Sequence, residues 1–187
     1  MPARTTIPRL TGYQKSARLS ACGMYRFTLF RGWDTRPLLL VVLMNPSTAT
    51  HEVDDPTVTL LMHIASHNGY GGIVIVNLCP LRSSTMASAF AFLDRVNSSA
   101  QDEAADWAMR ENLETIEDAL EQCAAVLIGW GSQGWRAQNW YSRVDELIRG
   151  AGKPIYRLGV CVNGHPMHPL ARGKHRLSKT APLLPAS

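Results

Sequence analysis

Four short apolar runs punctuate the chain: Leu38 to Met44, Ile73 to Val76, Ala124 to Ile128 and Ile155 to Val160. Each is continuous and each ends in polar or loop-forming residues. A strand covered on one face alternates, whereas a strand covered on both does not, so these runs predict buried strands of a parallel sheet. Ahead of them Tyr25, Phe27 and Leu29 alternate with Arg26, Thr28 and Phe30, the period of a partly buried, aromatic-rich strand. Gly32-Trp33-Asp34 makes a turn, and Pro37 opens the next strand where its missing N–H does least harm.

Helical patterns separate the runs. Asp55-Pro56 is a helix start, with the carboxylate as cap and proline in the first turn. Val58, Leu61, Met62 and Ala65 follow as an apolar stripe, and Gly69 stops the helix. A second helix is expected from near Ser99 to about Gln122, with Trp107, Leu113, Ile116 and Leu120 on its apolar face. A third is expected over roughly Gln133 to Arg149, with Trp140, Val144, Leu147 and Ile148 inward. A β-hairpin followed by β-α-β-α-β-α-β predicts a three-layer α/β/α domain. Its core would be a central, mainly parallel four-stranded sheet plus the N-terminal β-hairpin. The expected division is a basic arm over residues 1–20, a single α/β domain over 21–180 and a tail over 181–187.

Composition narrows the class. Of 187 residues, 45% are apolar and 18% charged, as in an ordinary folded domain rather than a disordered chain. No stretch approaches the roughly 18 apolar residues of a membrane span, and the first residues lack the apolar core of a secretory signal. Cys22, Cys79, Cys123 and Cys161 contain no CxxC pair, which excludes a zinc ribbon and leaves reduced thiols in a cytoplasm. Six Lys/Arg and no acid fall between Met1 and Gly32, and the same holds between Ala151 and Ser187. Nine acids crowd between Asp94 and Glu121. Basic ends around an acidic middle fit a cationic surface for nucleic acid as well as they fit ordinary solvation.

In α/β sheets of this kind, ligands bind outside the carboxyl ends of the strands. The segments there are Met44-Asn45-Pro46-Ser47-Thr48 with Asp54-Asp55, then Asn77-Leu78-Cys79-Pro80-Leu81-Arg82. Trp130-Gly131-Ser132 and Asn163-Gly164-His165-Pro166-Met167-His168-Pro169-Leu170 complete the set. Each of these side chains has an ordinary alternative use, and Asp55 in particular caps a helix. Together they define a rim for a polar ligand.

These segments, in this order, resemble the motifs of the uracil-DNA glycosylase superfamily. Leu43-Met44-Asn45-Pro46 is similar to its first motif in the Gly-Ile-Asn-Pro form. Ile75-Val76-Asn77 matches the strand ending in a base-reading Asn. Gly129-Trp130-Gly131-Ser132 matches the Trp-Gly turn, and His165-Pro166-Met167-His168-Pro169-Leu170 resembles His-Pro-Ser-Pro-Leu. The whole set is closer still to a bacterial and phage family, domain of unknown function 1643, over roughly Cys22 to Leu170. That family brings no established activity.

The resemblance implies a uracil-DNA glycosylase-like fold and hydrolysis of an N-glycosidic bond. A base in a duplex must be extruded before a side chain can reach it. Asn77 would read the base edge, since an amide both donates and accepts. His165 or His168 would donate to the departing base; one such donor is typically worth about 3–4 kcal/mol. Asn45 would hold the attacking water, and Asp54 or Asp55 would serve as a base. Pro46, Ser47, Trp130, Gly131 and Ser132 would form the substrate pocket. Arg82, Arg172 and Lys174 would contact the nucleic-acid backbone, setting affinity rather than sequence choice. The expected partner is DNA, single-stranded or carrying a modified base, or a nucleotide, with no membrane, no protein partner, no cofactor and no metal. His63 and His67 have the spacing of a metal pair but lack an evident third ligand.

Leu43 stands where the glycosylase motif has glycine, and Asn45 cannot take a proton. Two other readings therefore stand beside the hydrolase: another nucleotide- or base-modifying enzyme on the same scaffold, and a non-catalytic base- or nucleotide-binding module.

Overall fold

The apolar runs form the middle of one seven-stranded sheet in a computed structural model that describes residues 13–97, 102–134, 138–171 and 173–186. The strands are β1 (Gln14–Leu19), β2 (Arg26–Gly32), β3 (Leu38–Leu43), β4 (Gly72–Asn77), β5 (Ala125–Ile128), β6 (Ile155–Arg157) and β7 (Leu184–Pro185). The helices are α1 (Pro56–His67), α2 (Met86–Asn97), α3 (Glu103–Gln122) and α4 (Gln138–Gly150). In space the strands lie in the order β1-β2-β4-β3-β5-β6-β7. The central four, β4-β3-β5-β6, run parallel; β2 joins β4 antiparallel, and β7 joins β6 antiparallel.

The continuous runs are explained by cover on both faces. Odd and even residues of β3 alternate between two cores: Leu40 and Val42 pack on one side, Leu39, Val41 and Leu43 on the other. The first core is closed by α2, α3 and α4, through Phe90, Phe92, Met109, Ile116, Val144 and Ile148. The second is closed by α1 through Val58, Leu61, Ile64 and Ala65, and by the C-terminal segment through Leu177 and Ala181. This is the expected three-layer α/β arrangement, with one helix on one face and three on the other.

Several expectations need correction. The hairpin is β1 with β2, so residues 14–19 are an edge strand rather than arm; residues 1–12 lie outside the described set. β2 does not pair with β3 but crosses to β4. The helix α2 was not foreseen: Phe90 and Phe92, both buried, mimic a strand's alternation. α3 begins at Glu103 under the cap of Asp102, and the expected start near Ser99 lies outside the described residues. Trp107 is 41% exposed, although its ring meets Phe27 and Tyr25 edge-on. The last apolar run makes a strand only over Ile155–Arg157, and within the expected tail Leu184–Pro185 forms β7.

One irregularity matters for the site. β1 pairs Arg18 with Thr28 but Leu19 with Arg26, so Phe27 is an extra residue on β2. Such a bulge changes the parity of a strand. Arg26 and Arg31 are five apart and would face opposite sides of a regular strand. With the bulge between them, both reach the same loop: Arg26 Nη1 donates to Ala49 O at 2.9 Å and Arg31 Nη2 to Thr50 O at 2.6 Å.

Candidate functional site

The sheet order places a topological switch point between β3 and β5. The chain leaves β3 toward α1 on one face and leaves β5 toward α4 on the other. Crevices form at such points, at the carboxyl ends of the strands. A cleft of about 480 Å³ lies there. Asn45 and Ser47 follow β3, Trp130, Gly131 and Ser132 follow β5, and Asp55, Thr57 and Val58 begin α1. Ser83, Ser84 and Met86 come from the start of α2, His168 and Leu170 from the last loop, and Arg26 from β2. Leu43 and Ile75 line it as well, on the face covered by α1.

Local hydrogen bonding fixes each wall. The segment after β4 is zipped to the segment after β3: Leu78 N donates to Leu43 O, Cys79 N to Met44 O and Ser83 N to Pro46 O, each at 2.9 Å. Asn45 seals that seam. Its Nδ2 donates to Pro46 O at 3.1 Å and to Ser83 O at 2.9 Å, which spends both amide hydrogens and leaves Oδ1 as an acceptor. Pro46 is buried behind the seam, and Ser47 is exposed at the mouth.

Asp55 has two uses. Its Oδ1 accepts from Val58 N at 2.9 Å, capping α1 with Pro56 in the first turn, as the sequence predicts. Its side chain also lines the cleft, close enough to act electrostatically on both Arg26 and His168.

On the opposite wall, Trp130 is 2% exposed and Gly131 takes φ +85°, a backbone that favours glycine. Gly131 N donates to Pro166 O at 3.0 Å, tying this wall to the last loop. Gly134 fits against the Trp130 indole so closely that a Cβ there would stand 2.3 Å from Cδ1. Asn163 Nδ2 donates to Ser132 O at 2.6 Å.

The two histidines part company. His168 lines the cleft, and its Nδ1 accepts from Leu170 N at 3.1 Å. Burial lowers its pKa, only partly offset by Asp55, so at neutral pH it is uncharged. With Nδ1 accepting, the proton sits on Nε2. His165 does not line the cleft; its ring meets Tyr141 edge-on at 5.9 Å, and Tyr141 meets Trp130 at 5.2 Å.

Asn77 occupies the expected strand end but is not part of the cleft wall. It is fully buried, pairs in register with Leu43, and its carbonyl accepts from Asn112 Nδ2 at 2.9 Å. Among the described residues neither the nitrogen nor the oxygen of its side-chain amide has a partner. Alternation along β4 sets it on the same face as Ile75. Arg82 is also outside the wall: its Nη1 donates to Gly23 O at 3.0 Å, bracing the turn between β1 and β2. Arg172 lies outside the described residues, and the backbone of Lys174 lies in a short 3-10 turn, Gly173–His175. His63 and His67 do not line the cleft, and no cluster of metal-ligating side chains occurs among the described residues. No helix of the described chain is long and apolar enough to cross a membrane.

Sequence reasoning missed Arg26. It is 3% exposed, lines the cleft, and its Nε has no partner among the described residues. Burial pulls its pKa down to about 10, with Asp55 opposing that and Arg82 and Arg31 adding to it, so it stays a cation at neutral pH. The available signal is an arginine among the aromatic and apolar residues of a strand that the alternation of Tyr25, Phe27 and Leu29 marks as partly buried.

No curated protein and no solved structure matches this chain. A family match extends over residues 26–170. It opens on Arg26 and closes on Leu170, so it contains every residue that lines the cleft. The chain therefore belongs to the family described as a protein of unknown function, DUF1643.

Proposed function

We propose that the cleft binds a nucleobase-bearing ligand and hydrolyses its N-glycosidic bond, in the manner of the uracil-DNA glycosylase superfamily that the strand-end motifs resemble. The observation that carries this reading is the facing pair at the switch point. His168 is neutral with its proton on Nε2, and Asp55 keeps one carboxylate oxygen after capping α1. Cleavage of an N-glycosidic bond needs both halves of that pair. Nε2–H donates to the oxygen of the departing base, where negative charge grows. The Asp55 carboxylate takes a proton from water, which Asn45 Oδ1 can hold because its amide hydrogens are already engaged. Leu43, Ile75 and Met86 offer apolar wall to a planar ring.

The test is base release from single-stranded and duplex oligonucleotides carrying uracil, hypoxanthine or modified pyrimidines. Release that falls at least about 100-fold in both His168→Ala and Asp55→Asn supports the reading. Turnover that survives both substitutions overturns it.

A second reading rests on Asn77. The amide implied as base reader is closed off from the cleft, and Leu43 replaces the motif glycine. This favours a different reaction on a nucleotide, or binding alone. Tight nucleotide binding with no released base would mark that case.

A further inference from the structure

Arg26 is a buried cation that the reaction above does not use. Among the described residues no carboxylate forms an ion pair with it, and one protein acceptor, Ala49 O, takes one of its five N–H groups. Its Nε is sealed in without a partner. The charged groups acting on it are one anion, Asp55, against two cations, Arg82 and Arg31. An uncompensated buried charge is expensive, and a guanidinium so placed is suited to an oxyanion, of which it can grip two oxygens.

The surroundings point the same way. Thr57 and Val58, in the first turn of α1, line the cleft; so do Ser84 and Met86 at the start of α2. Both helices have 12 residues, and the amino end of each brings partial positive charge to the same space. Asp55 weakens this at α1 by capping Val58 N, whereas at α2 the cap is a neutral hydroxyl, Thr85 Oγ1 accepting from Ser88 N at 3.4 Å, and the first turn brings no acid.

We propose that Arg26 and the amino end of α2 form a phosphate subsite within the cleft, so that the ligand is recognised as a nucleotide unit through its phosphate as well as its base. This rests on the reading of the cleft as a nucleobase site and names what else its ligand must carry. The phosphate is either the monoester of a free nucleotide or the diester of a strand.

Binding to the full chain decides the matter by calorimetry with four probes: deoxyuridine, deoxyuridine 5′-monophosphate, inorganic phosphate and a short single-stranded deoxyuridine oligonucleotide. The monophosphate should bind at least about tenfold tighter than the nucleoside, and inorganic phosphate should compete with it. Arg26→Gln should abolish that advantage, and Arg26→Lys should keep part of it. Arg36→Gln, an exposed change far from the cleft, should leave it intact. If Arg26→Gln fails to fold, Arg26→Lys and phosphate competition in the unaltered protein decide. Equal affinity for nucleoside and monophosphate overturns the phosphate subsite and leaves the nucleobase reading standing. Phosphate binding that depends on Arg26, with no gain from the nucleoside, keeps the subsite and overturns the nucleobase reading. An oligonucleotide that outbinds the monophosphate, with the gain lost in Arg26→Gln, assigns the subsite to a strand; the reverse order assigns it to a free nucleotide.

Discussion

Arg26 and Arg31 leave the same strand, are almost equally buried and hold the same loop between β3 and α1, at Ala49 O and Thr50 O. Arg31 is saturated. Its Nε donates to Asp54 Oδ1 at 2.6 Å, Nη1 to Phe30 O at 2.8 Å and Nη2 to Thr50 O at 2.6 Å. Arg26 keeps an unused face toward the cleft. The adjacent aspartates divide in parallel: Asp54 forms an ion pair with Arg31, while Asp55 caps α1 with one oxygen and forms no ion pair with Arg26 among the described residues. A buried cation whose every nitrogen has an acceptor belongs to the framework. One left partly unplaced at the wall of a crevice is available to a ligand.

The largest effect should come from breaking the saturated member. Arg31→Leu leaves Asp54 with Lys15 Nζ at 3.1 Å and the Tyr13 hydroxyl at 3.4 Å, both on its other oxygen, and strips Thr50 O of its donor. A stability loss of about 3–5 kcal/mol is expected in urea unfolding. The double change Arg31→Leu with Asp54→Leu should recover about 1–3 kcal/mol of that, as coupled partners do.

Next comes the division of labour between the aspartates. Asp55→Asn keeps a capping oxygen, so stability should change by less than about 0.5 kcal/mol, because Asn caps nearly as well as Asp. Base release should nevertheless fall at least about 100-fold. A parallel loss of stability and activity would mean that Asp55 serves only the helix.

Arg26→Met removes one hydrogen bond and one costly buried charge. The net loss should be about 1 kcal/mol or less, far below that of Arg31→Leu. If the two substitutions destabilise equally, the contrast between the arginines is false.

The smallest effect is in pH. Burial lowers the pKa of His168, so between its folded value and the unfolded value near 6.5 the unfolded chain binds the extra proton. Its contribution is complete above about pH 6.5 and is lost as pH falls through that window, at no more than about 1.4 kcal/mol per pH unit. His168→Gln should flatten this slope. At Asp54, burial alone would raise the carboxyl, but the hydrogen bonds from Arg31 and Lys15 outweigh it and hold it below the usual range. That stabilisation is present above about pH 3.9 and disappears only in stronger acid, as the folded-state group protonates.

Much of the framework was legible in the sequence because it rests on local signals. Continuous runs such as Leu38 to Met44 announce strands covered twice, and Asp55-Pro56 announces a helix start that the structure places where expected. What escaped depends on partners distant in the chain. β1 has a polar, basic sequence, QKSARL, and becomes a strand by pairing with β2. The last apolar run breaks after Arg157, where Gly159 leaves the strand conformation with φ +154°. Of the site, Asn45, Ser47, Asp55, Trp130, Gly131, Ser132 and His168 gather at the cleft, as their strand-end positions imply. Asn77 and His165 show the limit of that logic, because a strand-end position fixes where a residue sits and not which way its side chain opens. Arg26 was hidden because the meaning of a strand residue depends on its facing, and facing is altered at the residue that follows it.

That alteration has a consequence for how the protein tolerates change. With Phe27 as a supernumerary residue, every side chain on the amino side of β2 has swapped sides relative to an unbroken strand. Were β2 to pair without the bulge at its present length, the Arg26 guanidinium would turn into the oily layer beneath α3 and the crevice would lose its cation, while no crevice residue had been replaced. Pairing register in this short stretch is therefore as much a chemical variable as composition.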